Sequence, residues 1–296
     1  PGQGSQVVGM AANFYKKFDI FKKKFDEADE ILDFKLSKLI LEGPSEQLNL
    51  TENTQPAIFL VSYSIFNLIK KEFNIKIDEA NYFAGHSLGE YSAATCAGYL
   101  NFEDTLKILK VRGKAMQDAV PLGQGGMLAI LGADINTIDK IFIANKSNFE
   151  CFVANDNSNS QIVVSGTNEN IDKLIVVLNS HKIKNIKLSV SAPFHCKLMQ
   201  TAKDKVHEEL KKIIFKDSKA KLISNVTANE VSNKNDLQNL LVKQIENRVR
   251  WRESINFIIK NGVNNFIEIG PGKVLSGLIR RINKDVKVSA INNEQD

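Results

Sequence analysis

The chain has 296 residues, 43% of them hydrophobic and 25% charged, enough apolar content for a large core in one big domain or two unequal ones. A net charge of +5 and a pI near 8.9 are spread along the chain; this does not point to a nucleic-acid binder, although a basic face could still meet an acidic partner. Cys96, Cys151 and Cys196 form no Cys-x-x-Cys pair, which speaks for a reducing compartment and against a disulfide framework or zinc, and no apolar run approaches the ~20 residues of a membrane span.

Pro1-Gly2-Gln3-Gly4-Ser5-Gln6 is a glycine turn with no strand before it and no visible signal-peptide pattern, so a preceding strand or targeting segment is expected to have been lost or removed. Phe14, Phe18, Phe21, Phe25, Ala28 and Leu32 recur at helical spacing and predict one amphipathic helix over 11–33. A second helix is predicted over 55–73, with Pro56 in its first turn. The short apolar run Tyr82-Phe83-Ala84 then leads into Gly85-His86-Ser87-Leu88-Gly89 and a helix-like stretch from Glu90 to Gly98. Strand, sharp turn and helix are the context in which Gly-x-Ser-x-Gly presents a nucleophile. The glycines allow the turn, and the Leu88 amide would point from the helix N-terminus at an oxyanion. Without that context, a glycine-flanked serine is often just a turn. A third long helix is predicted over 102–119.

After the linker 121–126 the predicted elements are a strand (127–131), a helix (135–144), strands (151–154 and 161–165), a helix (169–178) and a strand (186–190). The order βαββαβ is that of a ferredoxin-like unit. The expected architecture is therefore α/β. A large α/β-hydrolase-like domain (1–120 and 191–296) has a parallel sheet covered on both faces and carries the inserted ferredoxin-like subdomain (121–190). The large domain resumes with a helix (198–214), a strand (222–226), two helices over about 236–261, a strand (266–269), Gly270-Pro271-Gly272, a helix through Arg281 and a strand (286–291). Neither Gly270-Pro271-Gly272-Lys273 nor Gly2-x-Gly4 has the spacing of a phosphate-binding loop.

A serine needs a base. Of four histidines, His181 and His207 sit in charged, solvated surroundings, and His86 is too close in sequence to swing onto Ser87. His195, in Ser191-Ala192-Pro193-Phe194-His195, lies where the insert returns to the main domain, and clefts form at such junctions. By elimination it is the candidate base, the competing reading being a structural histidine. No Asp or Glu announces itself as the third member of a triad, so a backbone carbonyl is the alternative. Arg112 and Met116 share one helix face. An arginine on an apolar face either clamps a carboxylate or forms a structural or surface ion pair.

Pro1–Gln6, Gly85-His86-Ser87-Leu88-Gly89-Glu90-Tyr91, the Arg112 helix, Pro193-x-His195 and Gly270-Pro271-Gly272-Lys273-Val274-Leu275 occur in that order. Over nearly the whole chain this set resembles the malonyl-CoA:acyl carrier protein transacylases of type II fatty acid synthesis. The resemblance implies that Ser87 is acylated by malonyl-CoA, that His195 is its base in a Ser-His dyad held by a backbone carbonyl, and that Gln3 and Leu88 supply oxyanion-hole amides. Arg112 would bind the malonyl carboxylate, with Met116, Asn157 and Gln161 near the acyl pocket and His86 at its border. Phe194, by analogy with polyketide acyltransferases, would favour malonyl over methylmalonyl groups. Arg250, before Trp251, stands where relatives often have Gln, at the position to which the resemblance assigns the carbonyl contact with the histidine.

The resemblance further implies no cofactor, no metal, no nucleic acid and no membrane. Malonyl-CoA is the substrate, acyl carrier protein the partner and bearer of phosphopantetheine, and the protein a monomer. Lysine outnumbers arginine 33 to 6 and asparagine reaches 30, the bias of an A+T-rich genome. The compartment is then bacterial cytoplasm or, alternatively, a plastid-type organelle such as an apicoplast. The rival readings are a trans-acting polyketide malonyl acyltransferase, a serine thioesterase or hydrolase, and a non-enzymatic carrier-binding subunit.

Overall fold

A computed structural model describes residues 1–190 and 192–296. Its strands are β1 (Tyr82–Phe83), β2 (Gly125–Leu131), β3 (Cys151–Ser158), β4 (Gln161–Thr167), β5 (Lys184–Lys187), β6 (Lys221–Leu222), β7 (Asn265–Ile269) and β8 (Lys287–Ile291). The chain is a mixed α/β molecule. β1 pairs with β6 and β7 with β8, both in parallel, while β3-β4-β2-β5 form an antiparallel sheet. The expected single parallel sheet is thus seen as two parallel pairs. A cavity of about 560 Å³ lies between β1 and β7, lined by residues of both.

Helix Thr51–Lys71 runs through the core, with most of its residues buried. Helix Phe102–Asp118 lies along it, close enough that a Cβ on Gly113 would overlap the Thr51 carbonyl. The Asn101 side chain caps this second helix by accepting from Asp104 N at 2.8 Å, satisfying one of the amides that a helix start leaves free. In β2, alternation divides the side chains between two cores. Leu128 and Ile130 join Ile138, Ile141, Leu174 and Leu178 inside the 121–190 segment, whereas Met127 and Ala129 join the main core.

Several boundaries differ from the sequence-based expectations. The helix expected over 11–33 is two helices, Ala12–Lys17 and Asp19–Leu32, because Phe18 is extended (φ −123°, ψ 115°). That break lets Phe14 stack on Phe21 with centroids 5.4 Å apart; in one straight helix, seven residues would separate them by about 10 Å. The helix expected over 55–73 begins at Thr51, so Pro56 lies inside it. Its start is fixed by packing under Gly113 and by Gln117 Oε1, which accepts from Thr51 N at 2.9 Å.

The strand expected over 151–154 continues to Ser158 through a buried polar run. The last predicted strand of the insert lies at Lys184–Lys187 rather than 186–190. The helix expected over 198–214 is a short 3₁₀ turn, Lys197–Met199, followed by helix Gln200–Leu210. The strand expected over 222–226 pairs only at Lys221–Leu222. Gly125 and Gly126, expected in the linker, belong to β2, and a Cβ on Gly125 would overlap the Pro193 ring. Ser191, the expected start of the returning large domain, lies outside the described residues. Among the described residues, no helix is long and apolar enough to cross a membrane.

Candidate active site

Ser87 stands between β1 and helix Leu88–Cys96 with φ 54° and ψ −111°. L-residues avoid this backbone region, and its cost is characteristic of functional sites. Both flanking glycines are required by close approach. A Cβ on Gly85 would fall into the Gly89 carbonyl, and one on Gly89 would lie 2.7 Å from Pro1 O. The turn is tied from outside by Asn225, whose Oδ1 accepts from Ser87 N at 2.7 Å and whose Nδ2 donates to Gly85 O at 2.7 Å.

The structure brings His195 to the serine, with Ser87 Oγ and His195 Nε2 2.8 Å apart. His195 Nδ1 is 2.9 Å from the Gln244 carbonyl. A carbonyl can only accept, so Nδ1 carries the hydrogen and Nε2 offers its lone pair to the Ser87 hydroxyl. Gln244 ends helix Lys234–Gln244, where carbonyls lack intrahelical partners and carry partial negative charge. Burial, and secondarily the Arg112 charge, lower the His195 pKa to about 3. His195 also has a positive φ of 58°.

Arg112 is fully buried. Nη2 donates to Ser87 Oγ at 3.1 Å and to Gln244 Oε1 at 2.8 Å, and Nη1 donates to Gln55 Oε1 at 2.7 Å. Its Nε is buried without a partner, and the guanidinium lies 5.3 Å from the Tyr91 ring centroid. Its hydrogen-bond partners among the described residues are neutral and the buried Glu90 acts on it only through charge, so the guanidinium is suited to an incoming carboxylate.

The remaining sequence candidates fall at varied distances from this centre. Leu88 is buried and heads the helix after Ser87, so its amide belongs to the free first turn. Gly2 lies against His86, which brings the Gln3 segment to the elbow, and the Gln3 side chain donates to Thr51 Oγ1 at 3.2 Å. Met116 is buried with its sulfur 3.8 Å from Gln55 Nε2, hence beside a partner of Arg112. His86 Nε2 meets Asn157 Oδ1 at 2.8 Å, and its ring packs 5.8 Å from Trp251. Phe194 is buried, and its carbonyl accepts from Ser165 Oγ at 2.5 Å. Gln161 opens β4 opposite Ser158 and makes no hydrogen bond to Ser87, His195 or Arg112. His181 and His207 are exposed.

One expectation is corrected. The carbonyl that holds the histidine comes from Gln244, not Arg250. The Arg250 side chain instead pairs with Glu253 and donates to the Val226 and Thr227 carbonyls. The sequence reading also missed Gln55, Glu90, Asn225 and Gln244. Neutral amides carry no spacing signature; only a free carbonyl at the end of a predicted helix could have pointed to Gln244. Among the described residues, no group of three or more His, Cys, Asp or Glu side chains is arranged to hold a metal, and all three cysteines are free.

Residues 1–293 match the family described as "Acyl transferase domain". The chain is 42% identical to the malonyl CoA-acyl carrier protein transacylase of Bacillus subtilis over 298 aligned residues, covering 100% of this chain and 92% of the relative. It is similar to the solved acyl-carrier-protein-S-malonyltransferase of Bartonella henselae (TM-score 0.96, 40% identity, 100% and 94% of the two chains). It is also similar to a malonyl-transacylase solved in complex with its type II PKS acyl-carrier protein (TM-score 0.94, 36% identity, 100% and 95%).

Proposed function

Because the chain belongs to the acyl transferase family and, within it, to the malonyl CoA-acyl carrier protein transacylases, we propose that it moves a malonyl group from malonyl-CoA to the phosphopantetheine thiol of acyl carrier protein through an ester on Ser87. The observation that carries this reading is one oxygen shared by two groups: Ser87 Oγ lies 2.8 Å from His195 Nε2 and 3.1 Å from Arg112 Nη2.

His195 takes the hydroxyl proton as Ser87 Oγ attacks the thioester carbon. The Gln244 carbonyl stabilises the resulting imidazolium, a role that a triad carboxylate has elsewhere. The amides of Leu88 and Gln3 face the oxyanion, and one such donor contributes ~3 kcal/mol. The C–S bond breaks, and the CoA sulfur leaves with the proton from His195. In the second half the carrier thiol gives its proton to His195 and attacks the ester. The C–O bond breaks, and Ser87 Oγ recovers the proton. Arg112 holds the malonyl carboxylate beside the reacting carbon. Phe194 and Met116 bound the acyl site, with His86, Asn157 and Gln161 at its edge. Neither half-reaction calls for a metal or cofactor.

The same reading makes 121–190 a ferredoxin-like insert, supported by the strand order β3-β4-β2-β5 and by its separate core. It makes 1–120 and 191–296 the α/β-hydrolase-like part, supported by the strand–elbow–helix at Ser87. The bacterial relatives support fatty acid synthesis in a bacterial cytoplasm.

Intact-mass spectrometry tests the reaction. Incubation with malonyl-CoA should add one malonyl group, Ser87→Ala should prevent this, and holo acyl carrier protein should remove it. A wild-type chain that gains no mass, or passes malonyl only to water, would overturn the reading.

A further inference from the structure

Glu90 is wholly buried on helix Leu88–Cys96, beneath the reacting groups rather than among them. Its Oε2 accepts from Gln244 Nε2 at 2.5 Å and from Asn225 N at 3.2 Å, and its Oε1 is buried without a partner. Both of these neighbours hold the site. Asn225 ties the strained elbow at Ser87 N and Gly85 O. Gln244 Nε2 donates to Ser87 O at 2.9 Å, its Oε1 accepts from Arg112, and its main-chain carbonyl holds His195. One carboxylate therefore lies a single residue away from the nucleophile, the base and the guanidinium.

Resting on the transferase reading above, we propose that Glu90 is a positioning residue whose negative charge is needed for rapid malonyl transfer, because it anchors Gln244 and Asn225 and balances the buried Arg112. The groups facing this carboxylate are Arg112 from helix Phe102–Asp118, Gln244 from the end of helix Lys234–Gln244, Ser224 and Asn225 from the segment after β6, and Tyr91 from its own helix. Arg112 is the cation among them. Hydrogen bonds to an ionised acceptor are roughly twice as strong as neutral ones, so protonation slackens both anchors together. It also leaves Arg112 with an unbalanced charge before substrate arrives. Burial raises the Glu90 carboxyl to about 7, against the opposing effects of Gln244, Asn225 and Arg112. His195, held near 3, titrates far below, which separates the two groups on a pH axis.

The test is the kcat/KM for malonyl transfer to carrier protein, measured on the full chain between about pH 5.5 and 8.5. The wild type should lose activity below neutrality, approaching about tenfold per pH unit. Glu90→Gln keeps the shape but not the charge. It should be pH-flat and at least about tenfold slower than wild type at the alkaline end, with unchanged circular dichroism. A Glu90→Gln enzyme that keeps the acidic limb, or matches wild type at the alkaline end, would overturn the proposal. An infrared titration of the wild type needs no variant. It should show a buried carboxylic-acid band disappearing as pH rises through about 7, and a band that persists at the alkaline end, where transfer is fastest, would equally overturn the proposal. A wild type that transfers no malonyl group at any pH defeats the transferase reading itself, a result distinct from both.

Discussion

Ser87 and His195 both occupy positive-φ backbone, at 54° and 58°. Two non-glycine residues are thus held in a costly region with their side chains 2.8 Å apart, which concentrates backbone strain at the candidate site. Arg112 adds a buried positive charge at the same oxygen. Losing one partner of a buried, hydrogen-bonded charge pair costs roughly 2–5 kcal/mol, about 30-fold or more in rate. Arg112→Ala should therefore lower kcat/KM for malonyl transfer by at least that factor while changing acetyl transfer far less; equal losses for the two acyl groups would refute the assignment. Arg250 gives the opposite expectation. Its side chain serves a partly exposed pair with Glu253 and two loop carbonyls, so Arg250→Gln should change malonyl transfer by less than about threefold. A larger loss in kcat would restore a direct role for that side chain.

At the scale of elements, the close approaches decide more than the periodicities. Gly113 is an unremarkable letter in a helical pattern, yet helix Phe102–Asp118 can carry Arg112 to the serine only if it touches the start of helix Thr51–Lys71 there. Gly113→Ala should cost about 1–3 kcal/mol or more through overpacking, read as a lower urea midpoint with an unchanged m-value. A neutral result would mean that the two helices can separate freely. The Gly85 and Gly89 requirements were legible because Gly-x-Ser-x-Gly fixes both spacing and context. The extension of β3 was not. Asn155-Asp156-Asn157-Ser158 reads as a polar turn, but Asp156 N donates to Val249 O at 2.9 Å, and Val249 N donates to Ala154 O at 2.8 Å. Those partners lie nearly a hundred residues away, beyond any local pattern.

At the scale of the molecule, that extended strand holds the 121–190 segment to the rest. Asp156 is fully buried and takes two bonds from Arg252, at 3.0 and 2.7 Å. Breaking such a pair from one side costs roughly 3–5 kcal/mol because the other charge stays buried. Arg252→Ala should lower stability to about that extent in urea unfolding, and a loss under 1 kcal/mol would show that the pair is not needed. Acid should act through His195. Its pKa is about 3 in the folded chain and about 6.5 when unfolded. Between those values this group binds more protons in the unfolded state, so the His195 contribution to stability rises with pH through that window and levels off above it. The stability difference between wild type and His195→Gln should therefore grow in favour of wild type as pH rises from about 4 to 6.5. A difference that does not vary with pH would place the histidine outside the buried position beside Arg112 described for it.

The sequence by itself determined the helical character of the periodic stretches though not the break at Phe18, the elbow at Ser87, and His195 and Arg112 as candidates, because these rest on local spacing or on rare residue types. Only the tertiary structure decided what holds those groups in place. Gln244 supplies the carbonyl for His195 and a side-chain oxygen for Arg112, Asn225 ties the elbow, and Glu90 braces both. Glutamines, asparagines and main-chain carbonyls occur throughout any chain. What distinguishes these is burial beside the serine, from segments up to 157 residues away in sequence, and that is a property of packing which no local pattern records.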